Sequence, residues 1–371
     1  MNRDNTVMSL LTVSAGSLCE KEFFMSIITV VGSGMMGSAM SFPARDNGHE
    51  VRLVSIHKRE VTEEIRRSGY HLTLKRQLPD GVKAYYLEEL NEALNGADLI
   101  LCGVSSFGME WFEENIVPLV PENIPVLSIT KGLEMEEDGT LMPFPEAIMN
   151  RAEARGQKIN YNAVGGPVTS YELADRQQTH ICFCGRDLET LKKLRAMFGT
   201  SYYHISLTTD IAGLETAVAM KNAYALGVSL AVGINNLQYG REGIQHYNPQ
   251  AALFEQGVRE ASKIIASMGG KPETAMFFAG DLYVTIFGGR TRLLGTLLGE
   301  GKHFPEAKEM LAGVTLESVA ISTRVAEAMR RMEARGKVNC AEYPLLMHVD
   351  DIITRGAELD IPWDKFETII N

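Results

Sequence analysis

Ile27-Ile28-Thr29-Val30-Val31-Gly32-Ser33-Gly34-Met35-Met36-Gly37 is where the fold of this chain first becomes readable. Five apolar or β-branched residues form a short run typical of a buried parallel strand. A glycine turn follows at once. A helix is then expected from Met35 to about Asn47, closed by Gly48. The glycines fall as G-x-G-x-x-G between strand and helix. The first permits the tight turn, the second lets backbone amides approach a pyrophosphate, and the third lets helix and strand pack closely. Gly32, Ser33, Gly34, Met35, Met36 and Gly37 are therefore candidate contacts to a dinucleotide.

Outward from this stretch, strand and helix alternate. Further strands are expected at 51–55, 98–104, 126–129, 162–165, 181–184 and 202–206, with a helix at 188–198 between the last two. Such alternation predicts an α/β fold, a Rossmann-like doubly wound sheet, mostly parallel, with ligands at the strand carboxyl ends. After about residue 208 strand signals nearly vanish. Helices are expected at 213–234, 248–268, 304–311, 316–335 and 344–355. The expected organisation is a dinucleotide-binding domain at 25–207 and an all-α substrate and catalytic domain at 208–371. Residues 1–24 read as a leader or upstream-start extension, because the sequence restarts at Met25 and runs straight into a strand.

Composition narrows the partners. The chain has 371 residues, with Lys plus Arg 36 against Asp plus Glu 47 and a formal charge of −11. That balance disfavours nucleic acid and anionic membrane as partners. The most apolar long stretch, 216–234, carries Lys221 and Asn222 and reads as a buried helix rather than a membrane span. Five cysteines at irregular spacing suggest free thiols in a reducing cytoplasm, with no metal site. Cys182 and Cys184, two apart on a strand, should share one face.

Four places carry polar chemistry. The second strand ends Val54-Ser55-Ile56-His57-Lys58-Arg59, without the acid that usually holds the ribose of NAD. Ser55, Lys58 and Arg59 can hold a 2′-phosphate instead, so either NAD or NADP is expected, with NADP preferred. Lys131 follows a strand at its carboxyl end, on the ligand side of an open sheet. Lys221 and Asn222 lie in an otherwise apolar helical stretch, where an unpaired ammonium is costly. A lysine so placed is a candidate general acid/base. Finally, residues 279–292 gather Asp281, Thr285, a Gly288-Gly289 turn and Arg290, whose guanidinium is a fork for phosphate.

In this order the motifs resemble the NAD(P)-dependent glycerol-3-phosphate dehydrogenase family, from about Met25 to at least Glu317. The resemblance rests on the glycine loop, Thr130-Lys131-Gly132, Gly165-Gly166-Pro167, Met220-Lys221-Asn222, Asn248-Pro249-Gln250-Ala251-Ala252-Leu253, Gly280-Asp281-Leu282 and Gly289-Arg290-Thr291-Arg292. It implies a helical domain like that of 6-phosphogluconate dehydrogenase, and a homodimer. It implies Lys221 as catalytic acid/base, Lys131 touching substrate and nicotinamide, and Asp281 supporting Lys221. Gly166, Asn222, Thr285, Arg290 and Thr291 are the implied substrate contacts. His57, Ser105, Lys131, Arg290 and Glu317 join the implied cofactor set. Thr291 stands where the family usually has Asn, Val168 where Ser or Thr is often found, and Ser318 where Gly follows the glutamate.

The expected activity is cytoplasmic interconversion of dihydroxyacetone phosphate and glycerol 3-phosphate by hydride transfer. Two alternatives stand beside it. One is a reductase of another small 2-oxo compound, of the ketopantoate type. The other is a catalytically silent dinucleotide-binding regulator, against which the retention of both Lys131 and Lys221 argues.

Overall fold

The structure, a computed structural model, describes residues 25–368, so the leader expectation and Cys19 lie outside the described residues. The strands are β1 (Ile27–Val31), β2 (Glu50–Ser55), β3 (Tyr70–His71), β4 (Arg76–Gln77), β5 (Val82–Tyr86), β6 (Leu99–Cys102), β7 (Pro125–Ser128), β8 (Leu133–Met135), β9 (Leu141–Pro143), β10 (Asn160–Gly165), β11 (Thr179–Cys184) and β12 (Tyr203–Thr208). Eight of them form one sheet in the order β12-β11-β10-β7-β6-β1-β2-β5. Every pairing is parallel except β10 with β11. From β5 to β10 this is the strand order of a dinucleotide-binding sheet, whose crevice opens where the order reverses between β1 and β6.

Eight helices belong to the sheet half: α1 (Met35–Ala39), α2 (Ser41–Asp46), α3 (Arg59–Ser68), α4 (Leu90–Leu94), α5 (Met109–Asn115), α6 (Phe144–Ala154), α7 (Ser170–Ala174) and α8 (Leu188–Phe198). The expected single helix after the glycine loop is split at Met40. Pro43 has no N–H to return to the preceding turn, which interrupts the ladder there. Cys182 and Cys184 do share a face. They join one apolar cluster, while Ile181 and Phe183 between them join the cluster on the opposite face.

Beyond Thr208 the described chain is helical: α9 (Ile211–Ala219), α10 (Lys221–Tyr239), α11 (Asn248–Ser267), α12 (Ala275–Thr285), α13 (Gly289–Gly299), α14 (Phe304–Met310), α15 (Glu317–Glu333) and α16 (Pro344–Arg355). The expected helix at 213–234 is in fact two. The buried Met220 carbonyl accepts from both Ala223 N (3.0 Å) and Tyr224 N (3.3 Å), a tightened turn that separates α9 from α10. By length and composition Ile211–Tyr239 could cross a membrane, yet 83% of its most apolar window is buried inside the protein. It is a core element. Leu226, Leu230 and Tyr224 of α10 sit among Leu253, Leu294, Val325 and Leu345 in one apolar cluster.

Helix α9 serves two cores. Ile211, Leu214 and Val218 join the cluster on one face of the sheet, whereas Ala217 and Ala219 join the helical one. The fit is close: a Cβ added at Gly165 of β10 would lie 2.8 Å from Leu214 Cγ. Leu133 and Leu141, from the β8–β9 hairpin, also reach into the helical core.

Candidate active site

The glycine loop is shaped by backbone contact. Gly32 has φ +109°, and a Cβ there would lie 2.6 Å from the Gly103 carbonyl carbon. Gly103 follows β6, so the two strands at the switch point approach each other through bare backbone. A Cβ on Gly37 would come within 2.4 Å of the Gly32 carbonyl oxygen. Gly34 is different. Its φ is −69° and an added Cβ would meet nothing nearer than 3.8 Å. Among the described residues nothing requires glycine there, so the space it leaves open fits a ligand.

His71, which sequence reading missed, holds this loop from behind. It is fully buried. Its Nδ1 accepts from Leu74 N at 2.9 Å, which leaves Nε2–H to donate to Ser33 O at 3.0 Å. Burial lowers its pKa and keeps it neutral, the form this pairing needs. The signal lay in the short strands β3 and β4, whose two-residue length gives no periodicity.

Ser55, His57, Lys58 and Arg59 line a separate cavity of about 420 Å³ with Tyr86 and Glu88. Ser55 and Ser33 share a short hydroxyl–hydroxyl hydrogen bond, which joins this cavity to the glycine loop. Arg59 is already engaged. Its Nη1 pairs with Glu88 at 2.7 Å and its guanidinium lies 4.2 Å from the centre of the Tyr86 ring. Lys58, just ahead of α3, is the cation left facing this cavity.

A second cavity, about 290 Å³, lies between the sheet and the helices. Met36, Ser105, Lys131, Lys221, Asn222, Glu317 and Arg324 line it. Lys131 comes from the segment after β7 and Lys221 from the first turn of α10. They meet on Asp281 of α12. Lys131 Nζ is 2.5 Å from Asp281 Oδ2, and Lys221 Nζ is 2.6 Å from Oδ1. The carboxylate is wholly buried, whereas the lysine side chains keep 17% and 18% exposure, so both ammonium ends reach the cavity. Lys131 also donates to the Gly166 carbonyl at 3.1 Å, tying the ends of β7 and β10 together. Residues 131, 221 and 281 thus converge from three elements.

Other expected contacts stand further off. Thr285 spends its hydroxyl proton on the Asp281 carbonyl in its own helix, at 2.6 Å. Thr291 Oγ1 lies 3.5 Å from Asn222 Oδ1. Arg290, one residue earlier, is exposed on the first turn of α13 and is not on the cavity wall, because α13 turns Thr291 and Leu294 inward. Arg324 is on the wall and was missed. It sits two turns after Glu317 on α15 and donates to Leu133 O at 2.6 Å; seven-residue spacing on one helix face was the available clue.

Comparison with known proteins bears on this arrangement. Two family models, the N-terminus and the C-terminus of NAD-dependent glycerol-3-phosphate dehydrogenase, match residues 27–190 and 210–362. The chain belongs to the NAD-dependent glycerol-3-phosphate dehydrogenase family. Among curated members, it is 31% identical to the NADP(+)-dependent glycerol-3-phosphate dehydrogenase of Archaeoglobus fulgidus, covering 90% of this chain and 97% of the relative. It is 29% identical to a glycerol-3-phosphate dehydrogenase [NAD(P)+] of Shouchella clausii, covering 90% and 96%. Solved glycerol-3-phosphate dehydrogenases of Coxiella burnetii and Plasmodium falciparum share the fold. Their TM-scores are 0.74 and 0.77, at 22% and 19% identity, covering 93% and 94% of this chain and 98% and 97% of theirs. A ketopantoate reductase from Ralstonia eutropha has a likeness in fold alone, with TM-score 0.53, 16% identity, and coverage of 89% of this chain and 99% of that one. The glycerol-3-phosphate dehydrogenase family and its oxidoreductase chemistry therefore take precedence over the ketopantoate-type alternative.

Proposed function

We propose that this chain interconverts dihydroxyacetone phosphate and glycerol 3-phosphate, using NAD or NADP, with Lys221 as the proton donor. The observation that carries the reading is the pair of ammonium groups sharing one buried carboxylate at the mouth of the sheet crevice. Bound in that crevice, a nicotinamide dinucleotide supplies the hydride. The open space beside Gly34 receives the pyrophosphate. Lys221 Nζ gives its proton to the oxygen that becomes an alkoxide at C2. Lys131 holds that same oxygen with a fixed positive charge, and Asn222 fixes the substrate beside it. Asp281 aims both lysines and keeps their charges together. Ser105 and Glu317 border the nicotinamide end. Gly166, Thr285 and Thr291 serve the substrate side.

The experiment is turnover of dihydroxyacetone phosphate with NADPH and with NADH. A silent regulator would show none. Arg290 is assigned to the substrate phosphate on the strength of the family resemblance, with Thr291 taking part of the usual asparagine's task. A charge-assisted hydrogen bond contributes roughly 1.5–3 kcal/mol. Arg290→Ala should therefore lower kcat/KM for the phosphorylated substrate by at least about tenfold, and far less for unphosphorylated dihydroxyacetone. Equal losses on both substrates would remove Arg290 from phosphate recognition.

We assign the NADP preference to Ser55 and Lys58, with Arg59 joining when it leaves Glu88. The support is the missing acid at the end of β2 and a relative named as NADP(+)-dependent. Lys58→Ala should raise KM for NADPH several-fold and leave KM for NADH near its starting value. A wild type that strongly prefers NADH defeats the assignment. The homodimer is assigned to the helical half, where exposed Tyr239, Tyr247 and Trp363 line one groove with Asn235, Gln238 and His246. Sedimentation of the purified chain tests it.

A further inference from the structure

Glu215 lies in α9, wholly buried, and neither carboxyl oxygen has a hydrogen-bond partner. An acid in that situation is costly unless something nearby requires it. Its neighbours are unusual. Helix α9 packs against β10 and β11 on one side and α12 on the other. The charges of Lys131 and Asp281 both act on Glu215. Tyr161 of β10 and Cys184 of β11 feel it in turn, and burial keeps both neutral. Outside this group, Glu134 of β8 is tied to Arg151, and Glu146 of α6 sits near Arg186 and Asp210. Among the described residues, Lys131 is the cation whose charge acts on Glu215.

The charge count at the centre is uneven. Lys131 and Lys221 bring two positive charges and Asp281 supplies one negative charge. We propose that Glu215 is a positioning residue of the reaction centre, its buried, unpartnered carboxyl held in reserve as a second counter-charge for the lysine pair. It touches neither substrate nor cofactor and acts through Lys131. This rests on the lysine pair being the reaction centre, as proposed above. Burial raises the carboxyl to about 8, and desolvation lowers Lys131 to about 8. Two groups so matched, each acting on the other's charge, lose protons as a couple. Below that range Glu215 is a neutral acid and Lys131 an ammonium. As the pH rises through that range, loss of the acid's proton leaves an anion that delays the loss of the proton from Lys131.

Glu215→Gln tests this, because the amide copies the neutral acid and cannot ionise. With dihydroxyacetone phosphate and NADPH, kcat/KM of variant and wild type should coincide near pH 6.5. Above pH 8 the variant should fall away earlier, with at least about threefold lower kcat/KM at pH 9. Superimposable profiles over the whole range, or a loss equal at every pH, would overturn the proposal. A second readout needs no turnover. An infrared pH titration should show a protonated-carboxyl band that vanishes on alkalinisation and is missing from Glu215→Gln. Lys131→Met should move that band's midpoint upward, since the neighbouring cation is gone. A midpoint that stays put in Lys131→Met overturns the coupling, even where Glu215→Gln fails to fold. A wild type without turnover would refute the proposed reaction and leave the infrared result standing by itself.

Discussion

Lys221→Met should fold normally and lose about 10²–10⁴-fold in kcat, the range that a positioned general acid contributes. Methionine keeps the length and apolar character of the stem. The side chain is only 18% exposed, so the stem's packing matters as much as the charge. Asp281 keeps Lys131 as a partner in the variant, so no buried charge is stranded. Cofactor affinity should hardly change, because the glycine loop is shaped by Gly103 and His71 and not by Lys221. The measurement is kcat together with NADPH binding by fluorescence. Near-normal kcat with intact binding would take the proton-donor role away from Lys221.

Asp281→Ala should hurt stability as well as rate. The carboxylate is fully buried and lies between two ammonium groups at 2.5 and 2.6 Å. Removing one member of a buried ion cluster typically costs about 3–5 kcal/mol, since the remaining charges are left uncompensated. Here two like charges would face each other across the vacated space. Part of the cost is relieved because both lysines retain some exposure to the cavity. A denaturant midpoint lowered by more than a conservative core change would produce is the expected result. Asp281→Asn separates the two effects. It keeps the volume and one acceptor oxygen, so it should recover part of the stability while turnover stays strongly reduced. Wild-type turnover in Asp281→Asn would mean that the carboxylate only fills space.

Much of the sheet was legible in the sequence because its strands are continuous apolar runs closed by glycine or by polar turns. Val82–Tyr86 was not, since Val-Lys-Ala-Tyr-Tyr alternates polarity and burial too weakly to stand out. Helices α12 and α13 were hidden for another reason. Their glycines and arginines look like a loop, and only the helical packing around Phe278, Leu282 and Leu294 gives them a buried face. Lys221 was legible because an ammonium amid alanines and valines needs an explanation. Its partner Asp281 could be named from resemblance, but the meeting of both with Lys131 depends on three segments far apart in the chain. Glu215 was passed over for the opposite reason to Lys221. One acid in the first part of an apolar helix reads as ordinary solvent-facing chemistry until its complete burial is seen.

The double allegiance of helix α9 bears on how the protein comes into being. A chain made from its N-terminus has every sheet strand available once Thr208 has emerged. One face of that sheet still lacks Ile211, Leu214 and Val218, and its apolar side chains stay open to water. The next residues to appear close that face and, through Ala217 and Ala219, begin the helical core. Completion of the first half thus recruits the opening of the second, and α9 becomes the seam along which synthesis hands one folding unit to the next.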